Sequence, residues 1–521
     1  MAEQLPAGRR GRWLRLGAAA AVVASLVVAQ SSVLARGAVD PNTFPTAVNH
    51  DLDFAQQRVN ATSTRIPAGS YPVRTSSSGA WVTVPASDWT SGFYPGTLWQ
   101  MYERTGDPTW RTKAETVQKG IESQKTNNST HDLGFMFLSS YGRGYKDTGD
   151  LAQKQVLLTA ANTLTQRWNP AVGAMRSWDA YNDTTQYRVI IDNMMNLELW
   201  FWAAQNGGDP TLRDKAISHA KVTQRDFFRP DGGSFHVVNY NQTTGAVISK
   251  GTAQGYSDSS TWARGEAWGI HGFTTTYRYT GDVTFLDTAR RSADYYLSHL
   301  PADKIPYWDF NLPSTTGQPR DTSAAAIAAS GMVELSRLET DPVRKQNYLD
   351  GAQDTIAALS SPGYLSEGTN NQAVLLHGTQ NKPANNYDTG LIFGDYYFIE
   401  ALQRWQAWNG TTTPPSTTTT AAPALGLAVS PASHTIRKGS TTTYGVTVNR
   451  PAGNTTPVTM SVSGQPSPSN VTFDPTTTSA NSTLTVRTYS STSRGTYPLT
   501  ITGTYGNGTK VTVTATLVVT S

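Results

Sequence analysis

Asp192 stands in RVIIDNMMNLELWFWAA, running from Arg188 to Ala204, with Ile190 and Ile191 before it and Met194 and Met195 just after. Burial in such company disfavours the charged form of a carboxylate and raises its pKa, unless donors such as Asn193 or Asn196 offset the cost. The residue is therefore either a satisfied structural aspartate, the commoner fate of a buried carboxylate, or an acid held ready to give up a proton. HDLGF sets His131 and Asp132 directly before an apolar helix, where helix capping is the plain alternative to chemistry. DGGSFHVVNY puts His236 on a β-like run, and TAQGYSDSSTWARGEAWGIHGF supplies Gln254, Trp262, Arg264 and Trp268. Singly, each is ordinarily a packing residue. Together, two acids, a histidine, an arginine and several rings make the inventory of a sugar site: rings stack on pyranose faces, polar groups read hydroxyls and carboxyls move protons.

Such residues need a scaffold, and the chain punctuates one. LWQMYERTGDPTWRTKAE, LWFWAAQNGGDPTLRDKA and FTTTYRYTGDVTFLDTARRSA each predict a helix ending at Gly, followed at once by an Asp that caps a new helix. Looser copies occur at Thr148-Gly149-Asp150 and Thr340-Asp341-Pro342, so the capping aspartates fall at 107, 150, 209, 282 and 341. The unequal spacing suits helical hairpins with variable loops, not a regular solenoid. With a last helix ending near Asn409-Gly410, about six hairpins in a ring are expected: an all-α fold, an (α/α)6 toroid with its cleft at one end. TTTPPSTTTTAAPA, from Thr411 to Ala424, reads as an extended linker. Beyond it, short alternating runs such as TTTYGVTV, STLTVRT and KVTVTATLVV predict an immunoglobulin-like β-sandwich with no catalytic constellation of its own. Spacing or surface attachment is its expected role, with glycan binding the alternative.

The 521 residues exceed one average domain. Arg9, Arg10, Arg12 and Arg15, the apolar Leu16 to Val28, and small residues to Ala35 form an expected signal peptide, residues 1–35, and secretion follows from it. A retained anchor is the rival, but the apolar core is short for a span. The expected division is then 36–410 for the helical domain, 411–424 for the linker and 425–521 for the sandwich. No cysteine occurs, which excludes thiol nucleophiles and cysteine metal sites and leaves core burial to stabilise the fold. The sequence pI near 9.0 does not announce a polyanion binder. The basic excess sits in the leader and after Pro423, where six basic residues meet only Asp474, so the central domain is mildly acidic. An anionic substrate must then be held by a few placed groups, and no nucleic acid partner is expected.

WTSGFYPGTLW, HDLGFMF, VIIDNMMNLELW and GYSDSSTWARGEAWGIHGF, in that order, with NYDTGLIFGDYYFIEAL near the end, resemble the unsaturated glucuronyl hydrolases of glycoside hydrolase family 88. The resemblance spans roughly Asn42 to Trp408 and leaves out the leader and the β-domain. It implies an (α/α)6 barrel and removal of a 4,5-unsaturated uronic acid from the non-reducing end of lyase-generated oligosaccharides, without metal or cofactor. By position, Asp192 matches the family's general acid/base and Asp132 its second essential aspartate. His236, Gln254, Arg264 and the rings of Trp89, Trp262 and Trp268 match positions lining the sugar subsite. One departure is Glu266 where the pattern has glutamine, a charge that either narrows specificity or faces away. The rivals are a two-carboxylate glycosidase, a ring-of-helices polysaccharide lyase, a non-catalytic glycan binder, and the sister family acting on unsaturated rhamnogalacturonides. The first would leave the double bond in place, and the lyase would create it.

Overall fold

The computed structural model describes residues 43–179, 186–410, 426–449, 456–506 and 508–521. The expected leader and linker lie outside the described residues. The chain divides into two compact units, Met1–Thr412 and Thr413–Ser521.

Helices in the first unit start where the aspartates stand. After α1 (Phe44–Arg65), α2 (Phe93–Thr105) ends at Gly106 with φ 68, and Asp107 accepts from Thr109 N at 2.9 Å to open α3 (Pro108–Lys119). A side-chain oxygen here satisfies one of the orphan donors of the first turn. A helical run follows as α4 (Leu133–Phe137), a π-turn over Leu138–Gly142, and α5 (Arg143–Thr148), with Asp150 capping α6 (Leu151–Leu164). The second full copy differs slightly: α7 (Asn193–Gln205) ends at Asn206, and Asp209 accepts from Thr211 N ahead of α8 (Thr211–Phe227). Asp282 opens α10 (Val283–His299) after α9 (Ala263–Thr280), and Asp341 opens α12 (Pro342–Leu359) after α11 (Thr322–Leu338). The last helix is α13 (Ile392–Trp408).

Packing sorts these helices into two sets. The contacts run α2 to α13, α13 to α11, α11 to α9, α9 to α7, α7 to α4, and through the π-turn back to α2. Behind these lie α3, α6, α8, α10, α12 and α1, one against each. Phe93, Phe135, Trp268, Phe393 and Tyr397 meet in the middle, with Phe135 and Trp268 centroids 5.0 Å apart and Trp268 and Tyr397 5.4 Å apart. Further along the same helices runs a continuous set of ion pairs. Glu103 on α2 meets Arg143 at 2.8 Å, Arg143 meets Glu400 on α13 at 2.9 Å, and Glu400 meets His271 on α9 at 3.3 Å. Arg404 joins Glu334 on α11 at 2.8 Å, and Arg278 joins Glu334 at 3.1 Å and Glu198 on α7 at 2.5 Å. Burial alone would raise the Glu400 pKa, but Arg404, His271 and Arg143 hold it well below the usual carboxylate range.

Small sheets decorate the loops. β1 (Tyr71–Thr75) pairs with β2 (Trp81–Val84), and two short strands, β3 (Trp168–Asn169) and β4 (Ala174–Met175), pair with each other. β5 (Gln186–Ile190), β6 (Val237–Asn241) and β7 (Val247–Gly251) form a three-stranded antiparallel sheet, and β8 (Gly378–Asn381) pairs with β9 (Asn386–Thr389). Among the described residues no helix is long and apolar enough to cross a membrane.

The second unit is β-rich. A four-stranded and a five-stranded sheet enclose a core of Tyr444, Val446, Val458, Leu484, Val486, Leu499, Ile501 and Leu517. The alternation read in STLTVRT is the inside–outside alternation of a strand, with Leu484 and Val486 buried and Thr483 exposed.

Candidate functional site

The inner helices begin at one end, and the residues singled out in the sequence gather there. Asp192 is the N-cap residue of α7, yet its side chain makes no capping bond. His236, immediately before β6, brings its Nε2 to 3.7 Å from Asp192 Oδ2, and Ile191 N donates to His236 O at 3.0 Å, which fixes the two segments together. Burial pushes the Asp192 pKa up to about 7; the Arg264 cation opposes the rise and the Asp132 carboxylate adds to it. Asp192 Oδ2, His236 Nε2 and Trp268 Nε1 are all buried and have no hydrogen-bond partner among the described residues. Buried polar atoms rarely stay unpaired, so three converging on one point mark a place where another molecule's polar groups belong.

His236 is a neutral imidazole. Burial lowers its pKa to about 3, with Arg264 adding to the effect. Ala253 N and Gln254 N approach its Nδ1 at 3.2 and 3.3 Å as donors, which assigns the ring proton to Nε2, on the Asp192 side. The Trp262 ring lies 4.4 Å from the imidazole, and the Arg264 guanidinium is 4.4 Å over Trp262 and 5.3 Å from Phe393.

Asp132 does not cap α4. Its Oδ2 accepts from Thr130 Oγ1 at 3.0 Å and its Oδ1 lies 3.5 Å from His131 Nε2, while the capping is done from another helix by Asn196 Oδ1, which accepts from Phe135 N at 3.0 Å. The other expected offset also goes elsewhere. Asn193 bonds His131 and donates to Met175 O and Ser177 Oγ, so neither asparagine relieves Asp192. Asn193 and the Asn196 oxygen are committed to joining α4 and β4 to α7, and the buried Asn196 Nδ2 has no partner among the described residues.

Arg264 has a different part from a simple carboxylate clamp. Its terminal nitrogens donate to Asp321 Oδ2 at 3.1 Å, Thr379 O at 2.5 Å, Gln254 Oε1 at 2.8 Å and Gln380 O at 2.7 Å, leaving only Nε unpartnered. The group ties the Gln254 loop, the start of α11 and strand β8 together and projects its charge from within. The rings also divide. Trp268 is wholly buried against Phe135 and Tyr397, and Trp262 is 2 % exposed. Both are walls, and the partly buried Trp89, in contact with Phe93, Phe135 and Phe393, is the more open face.

Glu266 faces away. Its carboxylate accepts from Ser234 N at 2.8 Å, Ser234 Oγ at 2.6 Å and Ser292 Oγ at 2.5 Å, between α9 and α10, and burial pushes its pKa up to about 7. The suggestion that this charge narrows specificity falls, since two residues further along a helix is close to its opposite side.

Several contributors escape the sequence. Trp178 stands edge-on to His236 at 5.8 Å. Asp321 caps α11 through Ser323 N at 3.0 Å and pairs with Arg264; the Asp-Thr-Ser preceding an alanine-rich run was a legible cap signal, but its pairing was not. Phe393 lies inside a quoted motif without standing out in it.

A protonatable buried carboxyl, a neutral imidazole and a ring-lined wall at the helix starts define an enzyme of acid–base carbohydrate chemistry. A family model described as Glycosyl Hydrolase Family 88 matches residues 70–413. A relative named unsaturated glucuronyl hydrolase from Formosa agariphila is 44% identical over 328 residues, 62% of this chain and 81% of its own length. An unsaturated chondroitin disaccharide hydrolase from Streptococcus agalactiae is 33% identical over 64% of this chain and 85% of its own. A crystal structure of an unsaturated glucuronyl hydrolase specific for heparin superposes with a TM-score of 0.67 at 37% identity, covering 70% of this chain and 98% of that one. The chain belongs to glycosyl hydrolase family 88 and is a glycoside hydrolase.

Proposed function

We propose that the protein removes 4,5-unsaturated glucuronic acid from the non-reducing end of lyase-generated oligosaccharides by hydrating the C4=C5 enol ether. The observation that carries it is the raised pKa of Asp192, about 7, beside unpaired His236 Nε2 and Trp268 Nε1. Protonating carbon demands an acid that still holds its proton near neutrality. Asp192 gives its proton to C4, and positive charge develops at C5 and the ring oxygen. The resulting carboxylate takes a proton from the water that adds at C5. The hemiketal so formed opens and expels the aglycone, and the anomeric carbon is never attacked. Asp132, near enough to raise the Asp192 pKa, supports its protonated form and orients the uronate hydroxyls. His236 Nε2–H steadies the carboxyl as it changes charge. In the same reading Gln254, Trp89, Trp262 and Trp268 shape the sugar subsite, and Arg264 holds Gln254 and supplies positive potential for the uronate. Hydration of this kind needs only acid–base groups, so full activity is expected after exhaustive chelation.

The test is isotopic. In deuterated water the product should gain deuterium at C4, and in labelled water the oxygen-18 should enter at C5. Label at the anomeric carbon with the double bond intact would sink the mechanism and return the site to a two-carboxylate glycosidase.

The same reading takes the circuit of helix contacts as an (α/α)6 barrel and the β-rich unit as an immunoglobulin-like sandwich. The basic, apolar leader sequence supports secretion, and contact with glycan or a cell surface is the role assigned to the second unit.

A further inference from the structure

A cleft of about 300 Å3 opens on the outer face of the three-stranded sheet, beside His236. Trp178, Thr252 and Ala253 line it, and the same three residues touch His236: Trp178 edge-on, Thr252 Oγ1 at 3.2 Å and Ala253 N at 3.2 Å from Nδ1. The cleft is therefore one residue's thickness, that of His236, from Asp192.

Its wall holds two uncommitted polar side chains. Arg188 on β5 and Asn239 on β6 face each other in register. Arg188 is half-buried, and its guanidinium has neither hydrogen bond nor ion pair among the described residues. Asn239 is 7% exposed, and its Oδ1 is buried with no partner. Neighbouring charges are engaged elsewhere: Asp258 accepts from Thr252 N at 3.1 Å, and Lys250 Nζ lies 5.1 Å over the Phe235 ring. A guanidinium left without a carboxylate is a donor for an oxyanion, and the unpaired amide oxygen next to it is an acceptor for a neighbouring hydroxyl or N-acyl N–H.

Resting on the hydrolase reading, we infer that this cleft is the aglycone subsite and that Arg188 binds an oxyanion carried by the aglycone, a sulfate ester or a carboxylate, with Asn239 reading the group beside it. Neither residue belongs to the acid–base machinery; they set which aglycones are taken.

Unsaturated uronyl-N-acetylhexosamine disaccharides with and without an O-sulfate, and an unsulfated tetrasaccharide carrying an internal uronate, are compared by loss of ultraviolet absorbance at low ionic strength. The wild type should favour at least one anionic aglycone over the neutral disaccharide in kcat/KM, chiefly through KM, and added salt should narrow the ratio. Preference for the sulfated disaccharide assigns the sulfate; preference confined to the tetrasaccharide assigns the carboxylate. Arg188→Gln should reduce that ratio about tenfold, one good charge-assisted contact, and Arg188→Lys should restore part of it. A wild type that turns over all three alike, or an Arg188→Gln variant with an unchanged ratio, overturns the cleft and leaves the hydrolase reading standing. No absorbance loss with any of the three overturns the hydrolase reading, and the cleft with it. The wild-type arms decide the matter even where a variant fails to fold.

Discussion

At the scale of single residues, the proposed chemistry depends on one proton. Asp192→Asn keeps the size of the side chain and removes its transferable proton, so turnover should fall by about 10² to 10⁴ while the far-ultraviolet spectrum is unchanged. Wild-type turnover on that folded variant would refute the assignment. Asp132→Asn should also cut the rate severely, and by withdrawing a nearby negative charge it should lower the Asp192 pKa. The pH–rate profile of the wild type should decline as pH rises through about 7, where the acid ionises, and the limb should move to lower pH in Asp132→Asn. The same group is a stability term of definite sign. Its folded pKa is raised, so its contribution is fully present below the unfolded value of 3.8 and is lost as pH rises through about 7. Asp192→Asn should therefore melt higher than wild type at pH 8, with the gap closing toward pH 5.

Elements act by holding these residues to a common point. Asp321 is both the cap of α11 and the partner of Arg264, and both side chains are buried, so Asp321→Ala strips two first-turn donors and leaves a buried cation alone. Breaking a buried pair from one side typically costs about 3–5 kcal/mol. Thermal melts should show that loss, and KM should rise as Gln254 loses its anchor. The ion pairs deeper along the inner helices serve the circuit itself, joining α2, α5, α7, α9, α11 and α13. Glu400→Gln removes the member that touches Arg143, Arg404 and His271 and should destabilise by a similar amount, with no change in the pH–rate profile of the remaining folded enzyme. Because the Glu400 pKa is depressed, this contribution is intact above the unfolded value of 4.5 and disappears as pH falls below it. Asp209→Ala, at an exposed helix start, should shift the melting temperature far less than either buried change.

Across the whole molecule, two units each carry a separate apolar core. A chain ending at Gly410 should fold and turn over soluble disaccharides at the rate of the full protein, because every residue proposed for the site precedes it. Calorimetry of the full chain should resolve two transitions, one of them absent after truncation. A truncated protein that folds yet is inactive would show that the second unit completes the site.

The sequence by itself determined the helix corners, since capping aspartates and left-handed glycines act within a few residues of themselves. It determined the alternation of the β-unit for the same reason. It also singled out the residues proposed to carry the chemistry, because Asp132, Asp192, His236 and Arg264 stand in motifs whose order along the chain is specific. Tertiary structure alone decided their roles. Asn193 and Asn196 lie beside Asp192 in the chain, yet the bonds they make go to His131, Met175, Ser177 and Phe135, and burial outweighs the Arg264 cation in setting the Asp192 pKa. Arg264 proved a tie between three loops, and Glu266 turned its back on the site, because contacts across 32 to 116 residues compete for each donor and acceptor. A pKa is set by that competition. Sequence neighbours show which groups are close along the chain, and only the packed fold shows which have already found a partner.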